Sequence, residues 1–200
     1  MANRTVEFFE AHFKAQVRSA SSSELALNSF QQAALPFLSG RVLDLACGMG
    51  SLSVAAARKG CEVIAVDASS TAVEHVAAAA RAEGLNITAV QHDIATYDVD
   101  GSFDAVVAIG ILMFFPRDIA LGLLEKLQRA VRRGGHAMVT VLLQGTTFTD
   151  VFDGDRYYLF APDELERAFA GWAVQSSKRG EFPAPNGTMK WISSLIARKP

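Results

Sequence analysis

Two hundred residues, half of them hydrophobic and a fifth charged, are enough for one globular domain with a sizeable core and too few for two. A formal net charge of −2 presents no basic surface, so no nucleic-acid partner and no membrane partner is expected. No apolar run reaches the ~18 residues of a membrane span. Cys47 and Cys61 have the spacing of neither a disulfide framework nor a zinc site. The expectation is a soluble protein of a reduced, cytoplasmic compartment, with no metal.

The first forty residues read as helical. Phe8, Phe9 and Phe13 recur at helical spacing. Glu7 and Glu10 among them are unlike the basic flank and apolar core of a signal peptide. A polar break from Ser19 to Ser23 precedes a second helix expected near Glu24 to Phe37, closed by Gly40. From Arg41 strands and helices alternate. Arg41 to Ala46 reads as a strand, Gly50 to Lys59 as a helix stopped by Gly60, and Val63 to Asp67 as a second strand. Ser69 or Ser70 can cap an alanine-rich helix that runs to Gly84. Ile87 to His92 and Phe103 to Gly110 read as the third and fourth strands. Asp118 is expected to cap a long helix ending at Gly134 and Gly135, ahead of a fifth strand from His136 to Leu143. After a short helix between Pro162 and Gly171, two strands near Trp172 to Arg179 and Lys190 to Arg198 flank a turn rich in Pro, Gly and Asn. The expected fold class is therefore α/β. It is a doubly wound, Rossmann-like sheet of five parallel strands finished by a C-terminal antiparallel hairpin, in a single domain with N-terminal helices.

The residues that carry chemistry cluster at the strand ends. In Asp44-Leu45-Ala46-Cys47-Gly48-Met49-Gly50, the two glycines can take backbone angles closed to other residues and let a ligand approach the turn. The helix beginning just after them points free N–H groups toward it. Dinucleotide enzymes use the same device. Asp44, however, would repel a pyrophosphate lying on that loop and suits a ligand carrying an ammonium group. Ser53 also stands where the dinucleotide fingerprint has its third glycine. Asp67 ends the second strand, where a carboxylate can accept both hydroxyls of a ribose. Asp93 follows the third strand and can accept the exocyclic amine of adenine, with the N–H of Ile94 meeting a ring nitrogen. Each acid taken alone reads equally well as a helix cap. In register with one glycine turn they match ammonium, ribose and adenine in order.

Arg41 to Asp67 resembles the first two motifs of the class I S-adenosylmethionine-dependent methyltransferases, with Ala46 replacing the first glycine of their signature. The segments Ile111 to Phe115, Leu127 to Ala130 with Gly134-Gly135, Phe160 through Glu164 to Trp172, and Ala197 to Lys199 are similar to the tellurite-resistance methyltransferase family. The resemblance implies S-adenosyl-L-methionine as cofactor and S-adenosyl-L-homocysteine as product. The cofactor set it implies is Asp44, Ala46, Gly48, Gly50, Asp67, Ala68, Asp93, Ile94 and Ile109. It implies a methyltransferase domain over residues 41–200 and a helical cap over the active site from residues 1–40. Residues 180–187 lack the His-Arg pair and further arginine that family members carry between the last two strands, so an oxyanion substrate does not carry over.

The implied reaction is in-line methyl transfer to a small-molecule acceptor by a monomer or homodimer, a reaction for which positioning is expected to supply most of the effect. Met113, Phe114 and Tyr157 are the candidate acceptor-pocket residues; they read equally well as packing. No catalytic residue follows from the pattern. His12, on the helix able to close over the pocket, is the candidate general base. Two other readings stay open: a non-catalytic protein that binds S-adenosylmethionine, and an NAD(P)-dependent oxidoreductase.

Overall fold

The middle strand of the five parallel ones is β1 (Arg41–Leu45), buried from Val42 to Leu45. The computed structural model describes residues 3–19 and 26–200. Around β1 lie α1 (Asn3–Ser19), α2 (Ser29–Ala34) with a 3-10 turn (Leu35–Phe37), α3 (Ser51–Arg58), β2 (Glu62–Asp67), α4 (Ser70–Glu83), β3 (Ile87–Gln91) and β4 (Phe103–Ile109). They are followed by α5 (Arg117–Ala130), β5 (Val131–Leu142), α6 (Glu164–Ala168), β6 (Ala173–Pro183) and β7 (Met189–Arg198). The sheet order is β3-β2-β1-β4-β5-β7-β6. The first five strands are parallel, β7 runs antiparallel to β5, and β6 antiparallel to β7. The strand order reverses between β1 and β4, and open α/β sheets bind ligands beyond the carboxyl ends of their strands at such a point. Among the described residues no helix is long and apolar enough to cross a membrane.

Alternating strand residues divide the core into two clusters. Val42, Val63, Ala65, Val107, Met138 and Ile196 face Leu52 and Ala56 of α3. Leu43, Val66, Val106, Val139 and Leu195 face α5 and α6 through Leu123, Leu127, Leu165 and Phe169. Side chains two steps further on therefore keep the same face, which places Asp44, Asp67 and Ile109 together on the α3 side.

Three expected elements differ. The second helix is shorter than Glu24 to Phe37. Asn28 caps it, accepting the Phe30 and Gln31 N–H groups at 3.0 and 2.9 Å, and Gln31 returns the bond to Asn28 N–H at 3.0 Å. At Leu35 the chain tightens into the 3-10 turn, which carries Pro36 and its missing N–H. Most of the polar break from Ser19 to Ser23 lies outside the described residues. The long helix ends at Ala130 rather than at the glycines, because Val131 leaves it to pair with Phe103. Lys199 Nζ then donates to the carbonyls of Gln128 and Val131 at 2.8 and 2.7 Å, supplying partners the helix end lacks. Gly134 and Gly135 lie inside β5, and Arg132 there pairs with Asp104. Asp118 does not cap α5. It sits in the first turn after an N-cap at Pro116, where its charge complements the helix dipole.

Candidate functional site

A strand that ends in a buried acid, a turn of left-handed residues and a helix start build one wall of the site. Ala46, Gly48 and Gly50 have φ of 60°, 54° and 76°. Cys47 N–H donates to Val66 O at 3.1 Å and Gly50 N–H to Cys47 O at 3.0 Å, folding the turn back over β2. Gly50 is required twice over. Its φ is left-handed, and a Cβ there would lie 2.4 Å from Val76 Cγ2 of α4.

Two carboxylates converge beneath this turn. Asp44 is 5% exposed and accepts a 2.6 Å bond from the Ser53 hydroxyl. Burial raises its pKa from 3.8 to about 6; the Ser53 bond opposes the rise and the negative charge of Asp67 adds to it. Asp67, 8% exposed, accepts the N–H groups of Gly48 and Ser69, each at 2.9 Å. Burial raises its pKa as well, and the backbone bonds partly offset this. A cavity of about 230 Å³ joins these acids to Ala46, Cys47, Gly48, Ala68, Ser69, Ile109 and Phe114. Two desolvated carboxylates in one cavity make a site for a cation.

Helix α1 forms the cover. Val6, Phe9 and Phe13 line the cavity. Phe9 packs edge-on against Phe114 with centroids 5.3 Å apart. A Cβ on Gly48 would stand 3.5 Å from the Phe13 ring. Glu10 fastens this helix to the start of α4, where the hydroxyls of Ser69, Ser70 and Thr71 all donate to its carboxylate. The bonds from Ser69 and Thr71 lower its pKa from 4.5 to about 2. Ser69 is also the α4 cap, accepting Ala72 N–H at 3.1 Å.

Of the expected cofactor set, Asp44, Ala46, Gly48, Asp67, Ala68 and Ile109 line the cavity. Gly50 shapes the turn from outside it. Asp93 is exposed and accepts Ala95 N–H at 3.0 Å, while Ile94 is fully buried; neither lines the cavity. Of the three acceptor-pocket candidates, Phe114 lines it. Met113 is buried, with its carbonyl accepting Tyr158 N–H at 3.0 Å, and Tyr157 stacks on Phe152 at 4.3 Å. His12 is exposed, lies 3.2 Å from Gln16 Nε2 and does not line the cavity. Cys47 does line it. Burial and the charges of Asp44 and Asp67 push its thiol well above the ordinary range, so it is held protonated rather than poised as a nucleophile.

Among the side chains of the site that the sequence did not point to are the lining residues Val6, Phe9 and Phe13, together with Ser53 and Glu10. Ser53 carried a signal, as the residue in the third-glycine position. Glu10, whose partners lie 59 to 61 residues away, carried none.

Comparison with known proteins identifies the same region. Residues 42–135 match the family model described as a methyltransferase domain. A probable S-adenosyl-L-methionine-dependent methyltransferase of Haemophilus influenzae, TehB, is 23% identical over 132 residues, which is 66% of this chain and 46% of that protein. The chain thus spans about half the length of the curated relatives it matches. The crystal structure of Haemophilus influenzae TehB has the same fold, with a TM-score of 0.75 and 20% identity over 96% of this chain and 67% of the other. So does the Burkholderia thailandensis 1,6-didemethyltoxoflavin-N1-methyltransferase, with bound 1,6-didemethyltoxoflavin and S-adenosylhomocysteine. Its TM-score is 0.69, at 21% identity over 99% of this chain and 88% of the other.

Proposed function

We propose that this chain, whose residues 42–135 match a methyltransferase domain, transfers a methyl group from S-adenosyl-L-methionine to a small-molecule acceptor. The observation that carries this reading is the convergence of Asp44 and Asp67, both desolvated, with the left-handed turn at Gly48 in one cavity. A cationic ligand with hydroxyls to offer matches that donor set. Asp67 takes the ribose hydroxyls and Asp44 balances the positive charge of the methionine end. Asp93 and the N–H of Ile94, beyond the cavity's lining residues, are the proposed partners of the adenine. Ala46, Ala68 and Ile109 provide close apolar contact.

When bound, the cofactor supplies an activated methyl carbon. In the transfer it would enable, the acceptor's lone pair would take that methyl carbon while the carbon–sulfur electron pair stayed with sulfur, and any proton on the attacking atom would pass to solvent. The chain's own part is to hold the partners in line and keep water out. Val6, Phe9 and Phe13 are suited to the second task, which supports α1, within the proposed cap of residues 1–40, covering the domain of residues 41–200. The fold likeness to an N-methyltransferase holding a small heterocyclic acceptor and S-adenosylhomocysteine supports a small-molecule substrate, and two free thiols support a cytoplasmic setting.

The test is calorimetric titration of S-adenosylmethionine, with NADH as control, into wild type and Asp67→Ala. Binding in the micromolar range by S-adenosylmethionine alone, weakened at least tenfold in the variant, is the expected result. Binding of NADH, or of neither ligand to folded protein, would overturn the proposal.

A further inference from the structure

A second concavity lies beyond Ile109, on the same face of the sheet. Its floor follows from strand register. Ile109 of β4 pairs with Thr140 of β5, Thr140 with Ser194 of β7, and Ser194 with Lys178 of β6. The four form one lateral row, and all four line a groove of about 410 Å³ whose other wall is α2, through Phe30. Ile192, two residues along β7 and so on the same face, adds apolar floor. Ile109 lines this groove and the cavity holding Asp44 and Asp67 alike, so the two spaces meet at that side chain.

The polar groups in the groove have work left to do. Thr140 is 7% exposed, and its hydroxyl, still open to solvent, has no hydrogen-bond partner among the described residues. Lys178 has no ion pair among them either. The neighbouring Arg179 is held by Glu166 at 2.8 Å, so that charge is already neutralised. A solvent-accessible hydroxyl with no protein partner and an exposed lysine with no ion pair, at a groove with apolar walls, are features that can orient a ligand.

We propose that this groove, rather than the Met113 and Tyr157 side of the site, holds the methyl acceptor, and that the acceptor is a largely apolar small molecule bearing one anionic group. The anion meets Lys178, Thr140 bonds a polar atom midway, and the attacking atom lies at Ile109. Strands ~4.8 Å apart put the Cα atoms of Ile109 and Lys178 roughly 14 Å apart, and the lysine arm shortens the span. The attacking atom and the anionic group are then about 8–10 Å apart, the reach of a hydroxyaryl carboxylate. The inference rests on the methyltransferase reading for its chemistry but not for its binding test.

That test uses three probes, caffeate, 4-hydroxybenzoate and indole-3-acetate, each paired with its neutral methyl ester. They are titrated without cofactor into wild type, Lys178→Ala, Lys178→Arg and Thr140→Val while the Ile109 and Ile192 methyl resonances are followed. At least one acid should bind wild type, shift both methyls and exceed its ester. Lys178→Ala should weaken that acid about tenfold and leave the ester unchanged, with Lys178→Arg retaining most of the affinity. Failure of all three acids to bind, shifts confined to other methyls, or equal binding to wild type and Lys178→Ala would overturn the groove assignment. S-adenosylhomocysteine titrated into the same variants separates the two readings. Its binding should be unaffected by Lys178→Ala, and its failure to bind wild type would count against the cofactor site alone.

Discussion

Replacing Asp44 by Asn should make the ligand-free protein more stable at neutral pH while weakening cofactor binding. Burial lifts the Asp44 pKa from 3.8 to about 6, and at about 1.4 kcal/mol for each tenfold change in proton affinity this costs the ionised fold about 3 kcal/mol. The direction follows from linkage. The folded state holds the Asp44 proton more tightly than the unfolded chain does, so stability is lost as pH rises from about 4 to about 6 and is level above that window. Asparagine carries no charge to desolvate, and its carbonyl can still accept the 2.6 Å bond from Ser53. Its amide brings one poorly paired donor, at a cost of about 1 kcal/mol. The net gain is about 2 kcal/mol, or roughly 4–8 °C in Tm for a domain this size. Thermal unfolding followed by circular dichroism at pH 4 and pH 8, with calorimetric titration of S-adenosylmethionine on the same samples, measures both effects. The variant should melt higher at pH 8, close to wild type at pH 4, and bind more weakly. A variant no more stable than wild type at pH 8, or an equal gain at both pH values, would refute the argument that Asp44 is kept charged at the expense of the fold.

Two further predictions concern the turn and the cover. Ala46 holds φ of 60°, a conformation that costs an L-residue about 1–2 kcal/mol. Ala46→Gly should therefore gain about 0.5–1 kcal/mol after the extra unfolded-chain entropy of glycine, and a lowered urea midpoint would contradict this. Glu10→Ala removes the acceptor of three hydroxyls on α4. Trypsin should then cut several-fold faster at Arg4, Lys14 and Arg18, with little change in the unfolding midpoint of the sheet. Because the Glu10 pKa is lowered to about 2, its anchoring is in force above about pH 4.5 and fades as pH falls toward 2. Equal cleavage rates at pH 8 would remove Glu10 as the anchor.

What the sequence by itself determined is what depends on neighbouring residues. Apolar runs between helices are local patterns, and they specified five parallel strands and a closing hairpin along the chain, while the side-by-side order of strands in the sheet came from the structure. The glycine turn and the strand-end acids were legible for the same reason: Gly48 and Gly50 answer to backbone angles, and Asp44 and Asp67 occupy the last inward positions of their strands. Ends decided by distant partners were not legible. The end of α5 depends on Val131 pairing with Phe103 and on Lys199 reaching back to the Gln128 and Val131 carbonyls. Only the tertiary structure decided which side chains enclose the site. Helical spacing put Phe8, Phe9 and Phe13 on one helix, yet docking of α1 turned Phe9 and Phe13 inward and left Phe8 45% exposed. Docking likewise left His12 outside and brought Glu10 to α4. The row from Ile109 to Lys178 arises from the register of four strands contributed by three separate stretches of chain. No spacing within one stretch encodes it, because register is settled only when the sheet closes its core.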